Sequence, residues 1–192
     1  MKTVGILALQ GDFAAHEAAL TRAGACSLLV REARQFEDID GLIIPGGEST
    51  TMLKLLHADG LMGALKKFAR KKPVFGTCAG AILLAKKVLN PVQESLKAMD
   101  MVIERNAYGR QNDSCIATID IEPVSTKRFG AKTCEAVFIR APIIRCVGPR
   151  IKVLARYNGD PVFVEEGHHL ATTFHPELTT NGDIHAFFLS RL

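Results

Sequence analysis

Three short apolar runs, residues 4–9, 41–44 and 74–76, each end at a turn built on glycine, and each is followed by residues at helical spacing. Runs that are apolar throughout, rather than at every second position, suit strands buried on both faces. Strands of that kind joined through helices point to a parallel sheet covered on both sides. Residues 12–23 carry Phe13, His16, Ala19, Leu20 and Ala23 near helical spacing, and Gly24 closes the helix. Residues 26–30 supply a further strand, and helices are expected over 50–56, 61–70 and 81–87.

From Ser95 onward the pattern changes to strands in close succession, expected at 117–121, 136–139, 153–157, 162–165 and 170–174. Asn158-Gly159 signals a hairpin between two of them. A last helix is expected over 184–189, and no repeat or linker interrupts the chain. The expected architecture is therefore one α/β domain over residues 1–192, a mostly parallel central sheet covered by helices and carrying an antiparallel extension.

Composition excludes several function classes. With 192 residues and 47% hydrophobic content, the core needs neither disulfides nor a structural metal. The formal net charge of +4 is modest, and the basic cluster Lys66, Lys67, Arg70, Lys71 and Lys72 reads as a solvated helix end, so no nucleic-acid partner is expected. Five cysteines, an odd number without CxxC spacing, suit a reducing cytoplasm. The run at 4–9 is too short for a signal sequence or a membrane span.

Chemistry concentrates in two places. Gly76-Thr77-Cys78-Ala79-Gly80 lies between an apolar strand and an Ala-rich helix, the position and glycine spacing of a nucleophile elbow. The glycines allow a sharp turn that leaves the thiol exposed, and the helix N-terminus favours its thiolate. Cys26, Cys115, Cys134 and Cys146 lack that context and are expected to be small buried apolar residues. His175-Pro176-Glu177 offers a base and a carboxylate to orient it, stiffened by proline. An oxyanion needs amide donors, for which the candidates are the backbone of Ala79 and the Gly46-Gly47 turn. His16, His57, His168, His169 and His185 read as surface or satisfied core residues, and their spacing makes no metal site.

The runs Pro45-Gly46-Gly47-Glu48-Ser49-Thr50-Thr51, Phe75 to Gly80 and Thr173 to Leu178 together resemble the class I, triad-type glutamine amidotransferases. Leu9-Gln10-Gly11-Asp12, the run 105–111 (RNAYGRQ) and Phe138-Ile139-Arg140-Ala141-Pro142 narrow the resemblance to the glutaminase subunits of pyridoxal 5'-phosphate synthases, from Gly5 to Phe188. The resemblance implies a flavodoxin-like fold and a triad of Cys78 as nucleophile, His175 as base and Glu177 as its orienter. It also places glutamine binding on Gly47, Glu48, Ser49, Arg105, Ile139 and Arg140. The implied substrate is L-glutamine, no cofactor or metal is implied, and the implied partner is a barrel-forming synthase subunit in a large hetero-oligomeric complex. Gln10 either relays contact with that partner or caps the turn that follows it. Another amidotransferase, a stand-alone cysteine hydrolase, and a silent regulatory module on the same fold are the rival readings.

Overall fold

The computed structural model describes residues 2–105, 114–129 and 132–192; residues 106–111 of the RNAYGRQ run lie outside them. The first half follows the expected alternation: β1 (Thr3–Leu7), α1 (Phe13–Arg22), β2 (Cys26–Val30), β3 (Gly41–Ile44), α2 (Ser49–Ala58), α3 (Met62–Ala69), β4 (Val74–Thr77) and α4 (Ala79–Leu84). Then come β5 (Ala85–Leu89), β6 (Met99–Glu104), β7 (Cys115–Ile121), α5 (Pro123–Phe129), β8 (Thr133–Phe138), β9 (Ile143–Val147), β10 (Lys152–Tyr157), β11 (Asp160–Glu166), β12 (His169–Thr172) and α6 (Asp183–Leu189).

Among the described residues the main sheet has the order β2-β1-β3-β4-β12-β11-β10-β7-β8. From β2 to β12 every pairing is parallel, and from β12 to β8 every pairing is antiparallel. The parallel half with its antiparallel extension is thus a single continuous sheet. Its apolar runs are unbroken because successive residues enter two different cores. Leu42, Ile44 and Val74 pack with α2, α3 and α4 on one face, while Val4, Ile43 and Phe75 join Leu20 of α1 and Phe188 of α6 on the other. Each of these side chains is fully buried, a gain of about 1.5–3 kcal/mol apiece by transfer from water. The Asn158-Gly159 hairpin joins β10 to β11 with both residues at positive φ, 51° and 88°, as a tight two-residue turn requires.

The structure departs from expectation at a second, three-stranded sheet of order β5-β6-β9. The helix expected over 81–87 stops at Leu84, and Ala85 turns into the extended region at φ −61°, ψ 147° to begin β5. An apolar run of that length fits either state, and here parallel pairing with β6 decides it. In β6 itself Met99, Met101 and Ile103 are buried while Asp100, Val102 and Glu104 are partly exposed, a period-two alternation that the expected strands omit. No helix among the described residues is long and apolar enough to cross a membrane.

Candidate active site

Cys78 stands between the end of β4 and the start of α4 with φ 48° and ψ −101°. A side chain at positive φ costs about 1–3 kcal/mol and persists only where the surroundings enforce it. Here the Cys78 amide donates to Thr172 O at 2.8 Å, and its carbonyl accepts from Ile82 N at 3.2 Å. The flanking glycines serve close approach: a Cβ on Gly80 would stand 2.0 Å from Ile44 O, and one on Gly76 2.5 Å from the Gly80 carbonyl. The strain therefore falls on the cysteine and not on its glycines. Contrary to the expected exposed thiol, Cys78 is buried, with 5% of its surface exposed. Its side chain makes no capping bond to α4, so the first-turn amides, Ala79 included, have no side-chain acceptor from it.

The other cysteines correct the sequence reading in the opposite direction. Cys26, Cys115 and Cys146 are exposed and Cys134 is partly buried, because they sit on strands whose outer faces or edges meet solvent. Burial, followed by the charge of Asp183, pushes the Cys134 thiol up to about 11.

His175 reaches Cys78 because β12 lies parallel to β4, with Thr172 opposite Thr77. Beyond β12 the chain is pinned by the His175 amide donating to Val137 O at 2.8 Å, and a single tight turn over Pro176–Leu178 follows. That turn folds Glu177 back so that His175 Nδ1 and Glu177 Oε1 are 2.7 Å apart, both residues buried. A carboxylate only accepts, so Nδ1 carries the proton and Nε2 is left for the thiol side. Burial alone would lower the imidazole's affinity for a second proton. Hydrogen bonds to Cys78 and Glu177, then their charges, outweigh it and raise the His175 pKa to about 10.

Gly46 and Gly47 lie against the same groups. A Cβ on Gly46 would meet the His175 ring at 2.3 Å, and one on Gly47, at φ 137°, would meet the Gln10 amide nitrogen at 2.5 Å. Gln10 does not cap the turn after it: Asp12 caps α1 through Ala15 N, whereas Gln10 exchanges two 3.3 Å bonds with the backbone of Glu48. It thus clamps the loop that carries Gly47.

A cavity of ≈ 150 Å³ opens between these elements, lined by Cys78 and His175 and by all six residues expected to bind glutamine: Gly47, Glu48, Ser49, Arg105, Ile139 and Arg140. The Cys78 thiol lies 4.0 Å from Ile139 O. Glu48 caps α2, and although burial works against its charge, the Thr51 hydroxyl and the amides of Thr51 and Thr50 hold its pKa at about 2. Arg105 Nη2 donates to Glu48 Oε1 and Thr50 Oγ1, each at 3.1 Å, while Nη1 donates to Gln93 Oε1. Gln93 Oε1 also accepts from Ser49 at 3.0 Å. Ile82 and Pro142 line the cavity as well. The sequence reading missed Gln93, Ile82 and Pro142. Ile82 lies one helical turn after Cys78, a spacing that could have indicated it, whereas nothing local singles out Gln93.

Among the described residues no cluster of His, Cys, Asp and Glu has the arrangement of a metal site. His169 instead accepts from Val74 N at 3.2 Å inside the core. His16 and His185, read from the sequence as surface or satisfied core residues, are both fully buried, and His16 Nε2 lies 3.5 Å from Glu177 Oε2.

Comparison with known proteins places the fold and the sequence in one family. A pyridoxal 5'-phosphate synthase subunit PdxT of Solibacter usitatus (strain Ellin6076) is 58% identical over 192 residues, covering all of both chains. The PdxT subunit of Koribacter versatilis (strain Ellin345) is 50% identical, over 97% of this chain and 93% of that one. A crystal structure of a glutamine amidotransferase superposes with a TM-score of 0.88 at 42% identity, covering 98% of this chain and 97% of that one. A Thermoplasma acidophilum protein assigned to GMP synthase, 17% identical, shares the fold with a TM-score of 0.73 over 100% of this chain and 94% of its own. The match to the SNO glutamine amidotransferase family extends over residues 6–192, and the chain belongs to that family.

Proposed function

We propose that this chain hydrolyses L-glutamine to L-glutamate and ammonia and passes the ammonia to a separate synthase subunit that makes pyridoxal 5'-phosphate. The observation that carries the reading is the convergence on one cavity of Cys78, His175 and the six residues that the resemblance assigns to glutamine binding. Cys78 Sγ attacks the side-chain amide carbon, and the amides of Ala79 and of the Gly46-Gly47 turn stabilise the oxyanion. Collapse breaks the C–N bond as His175 protonates the leaving nitrogen, which departs as ammonia. Water, deprotonated by His175, then cleaves the glutamyl thioester and restores the thiol. Glu177 fixes the tautomer of His175 throughout. No step of this route needs a cofactor.

The ammonia must be captured before it becomes ammonium in water, so hydrolysis is coupled to the acceptor subunit. Glutamate release is expected to rise roughly 5- to 150-fold when the synthase subunit is added, the usual range of coupling between sites. Gln10 transmits that contact through its clamp on Glu48 beside Gly47. Gly47→Ala places a Cβ against the Gln10 amide at a φ of 137°, so it should cut the stimulated rate while leaving the fold intact. An isolated chain as fast as the complex would refute the coupling and leave the hydrolysis reading standing.

Arg105 contributes a planar fork already fixed by Glu48, Thr50 and Gln93. Arg105→Lys loses that fork and should raise KM for glutamine roughly tenfold with kcat little changed, the signature of lost ground-state binding. Steady-state kinetics over a range of glutamine concentrations would measure the split.

A further inference from the structure

Glu177 spends only one carboxylate oxygen on His175. Its other oxygen, Oε2, is buried and has no hydrogen bond of good geometry among the described residues, but His16 Nε2 stands 3.5 Å from it. His16 comes from α1 and has no exposed surface. The same Nε2 lies 3.2 Å from the hydroxyl of Thr77, the residue before the nucleophile, and His16 Nδ1 lies 3.0 Å from Nε2 of His185 on α6. One histidine thus touches the elbow strand, faces the triad carboxylate and is held by the last helix.

The acceptor-only carboxylate orders the protons along this chain. A bare Nε2 on His16 would set a lone pair against Glu177 Oε2, so that nitrogen carries the hydrogen and shares it with Thr77. His16 Nδ1 is then an acceptor, and His185 Nε2–H must donate to it. That leaves His185 Nδ1 with a lone pair only, and among the described residues it is the one ring nitrogen of the pair without a hydrogen-bond partner. An orphaned acceptor is tolerated better than an orphaned N–H. Phe75 packs its ring edge-on against His185, at 6.1 Å between centroids, and gives it an apolar wall.

We propose that His16 is a positioning residue for the triad: a neutral Nε2–H imidazole, held in that tautomer by His185, that orients the Glu177 oxygen His175 does not use. Burial, followed by the charges of His185 and His175, keeps His16 well below the ordinary histidine range, and burial followed by Arg22 lowers His185 to about 4, so both rings are neutral at pH 7. At 3.5 Å the contact with Glu177 is long, as catalytic hydrogen bonds often are before substrate binds. A purely structural position would hold a leucine or phenylalanine more cheaply than a chain of buried polar groups.

The inference rests on the glutaminase reading and is tested in two ways. Nitrogen-15 histidine NMR of the wild-type chain at pH 7 should find His16 protonated at Nε2 and bare at Nδ1; the opposite tautomer or an imidazolium would overturn it. In the complex with the synthase subunit, His16→Leu should lower kcat roughly 10- to 100-fold, the ordinary effect of removing a residue that supports a catalytic group, with KM little changed. His16→Gln, which keeps an N–H at similar reach, should recover most of the loss. Introduced into Glu177→Gln, His16→Leu should cost nothing further, because its target is gone. Losses that simply multiply would mean a packing role and overturn the inference while the triad stands. Full activity of Glu177→Gln would remove the triad reading and this inference with it. If His16→Leu does not fold, the NMR tautomer decides.

Discussion

Replacing Cys78 by alanine is expected to lower glutamate release roughly 10⁴-fold or more, since removing the proposed nucleophile abolishes the covalent route and leaves only binding and oxyanion stabilisation. The fold should survive. Alanine is smaller than cysteine, and the positive φ at this position is imposed by Thr172, Ile82 and the close approach of α4 to β3, none of which involves the thiol. The stability change should stay near about 1 kcal/mol, the typical value for a point substitution. Cys78→Ser should be nearly as inactive, because a hydroxyl is a far weaker nucleophile than a thiolate at neutral pH. The check is glutamate release in the presence of the synthase subunit, with circular dichroism to establish folding. A glutamine-analogue electrophile should label Cys78 and spare Cys134, whose thiol at about 11 is almost wholly protonated at pH 7. A folded Cys78→Ala protein with normal turnover, or label on Cys134, would reject the assignment.

His175→Asn should remove nearly all activity, on the order of 10³- to 10⁴-fold, because in the proposed route proton transfer to the leaving ammonia and from the attacking water both pass through this ring. Glu177→Gln should leave measurably more, since the imidazole is still present beside Cys78 but has lost its charged orienter. The same substitution carries a signed prediction for the ring itself. The Glu177 hydrogen bond and charge both raise the His175 pKa, so Glu177→Gln should bring its midpoint down from about 10, towards the ordinary 6.5. NMR titration of His175 in the two proteins would show the shift. An unchanged midpoint would separate Glu177 from the imidazole, and wild-type activity of His175→Asn would end the triad reading.

The elbow and the His-Pro-Glu turn were legible in the sequence because each is a local arrangement. A glycine-flanked cysteine between an apolar run and a helix, and a histidine two residues from a glutamate, occupy only a few positions. The parallel strands were legible for the same reason, since burial on both faces writes itself as an unbroken apolar run. What brings Cys78 to His175 is not local: it depends on β12 entering the sheet beside β4 in parallel register. Gln93 could not be found by pattern, because its part is defined only by Ser49 and Arg105 folding around its amide oxygen.

Residues 85–89 show the limit most plainly. Their composition admits helix or strand, and the pairing with β6 makes them a strand. The cysteines show it too, since identity says what a thiol can do but the packing of neighbouring strands decides which thiol is buried. His16 and His185 read from the sequence as ordinary histidines, and only the approach of α1, α6 and the Glu177 turn makes them one chain of polar contacts. The sequence by itself therefore determined the chemistry available and the periodicity of each segment, which are set by side-chain type and spacing along one stretch of backbone. The tertiary structure alone decided which groups meet, because register, burial and hydrogen-bond partners are properties of segments brought together from distant parts of the chain.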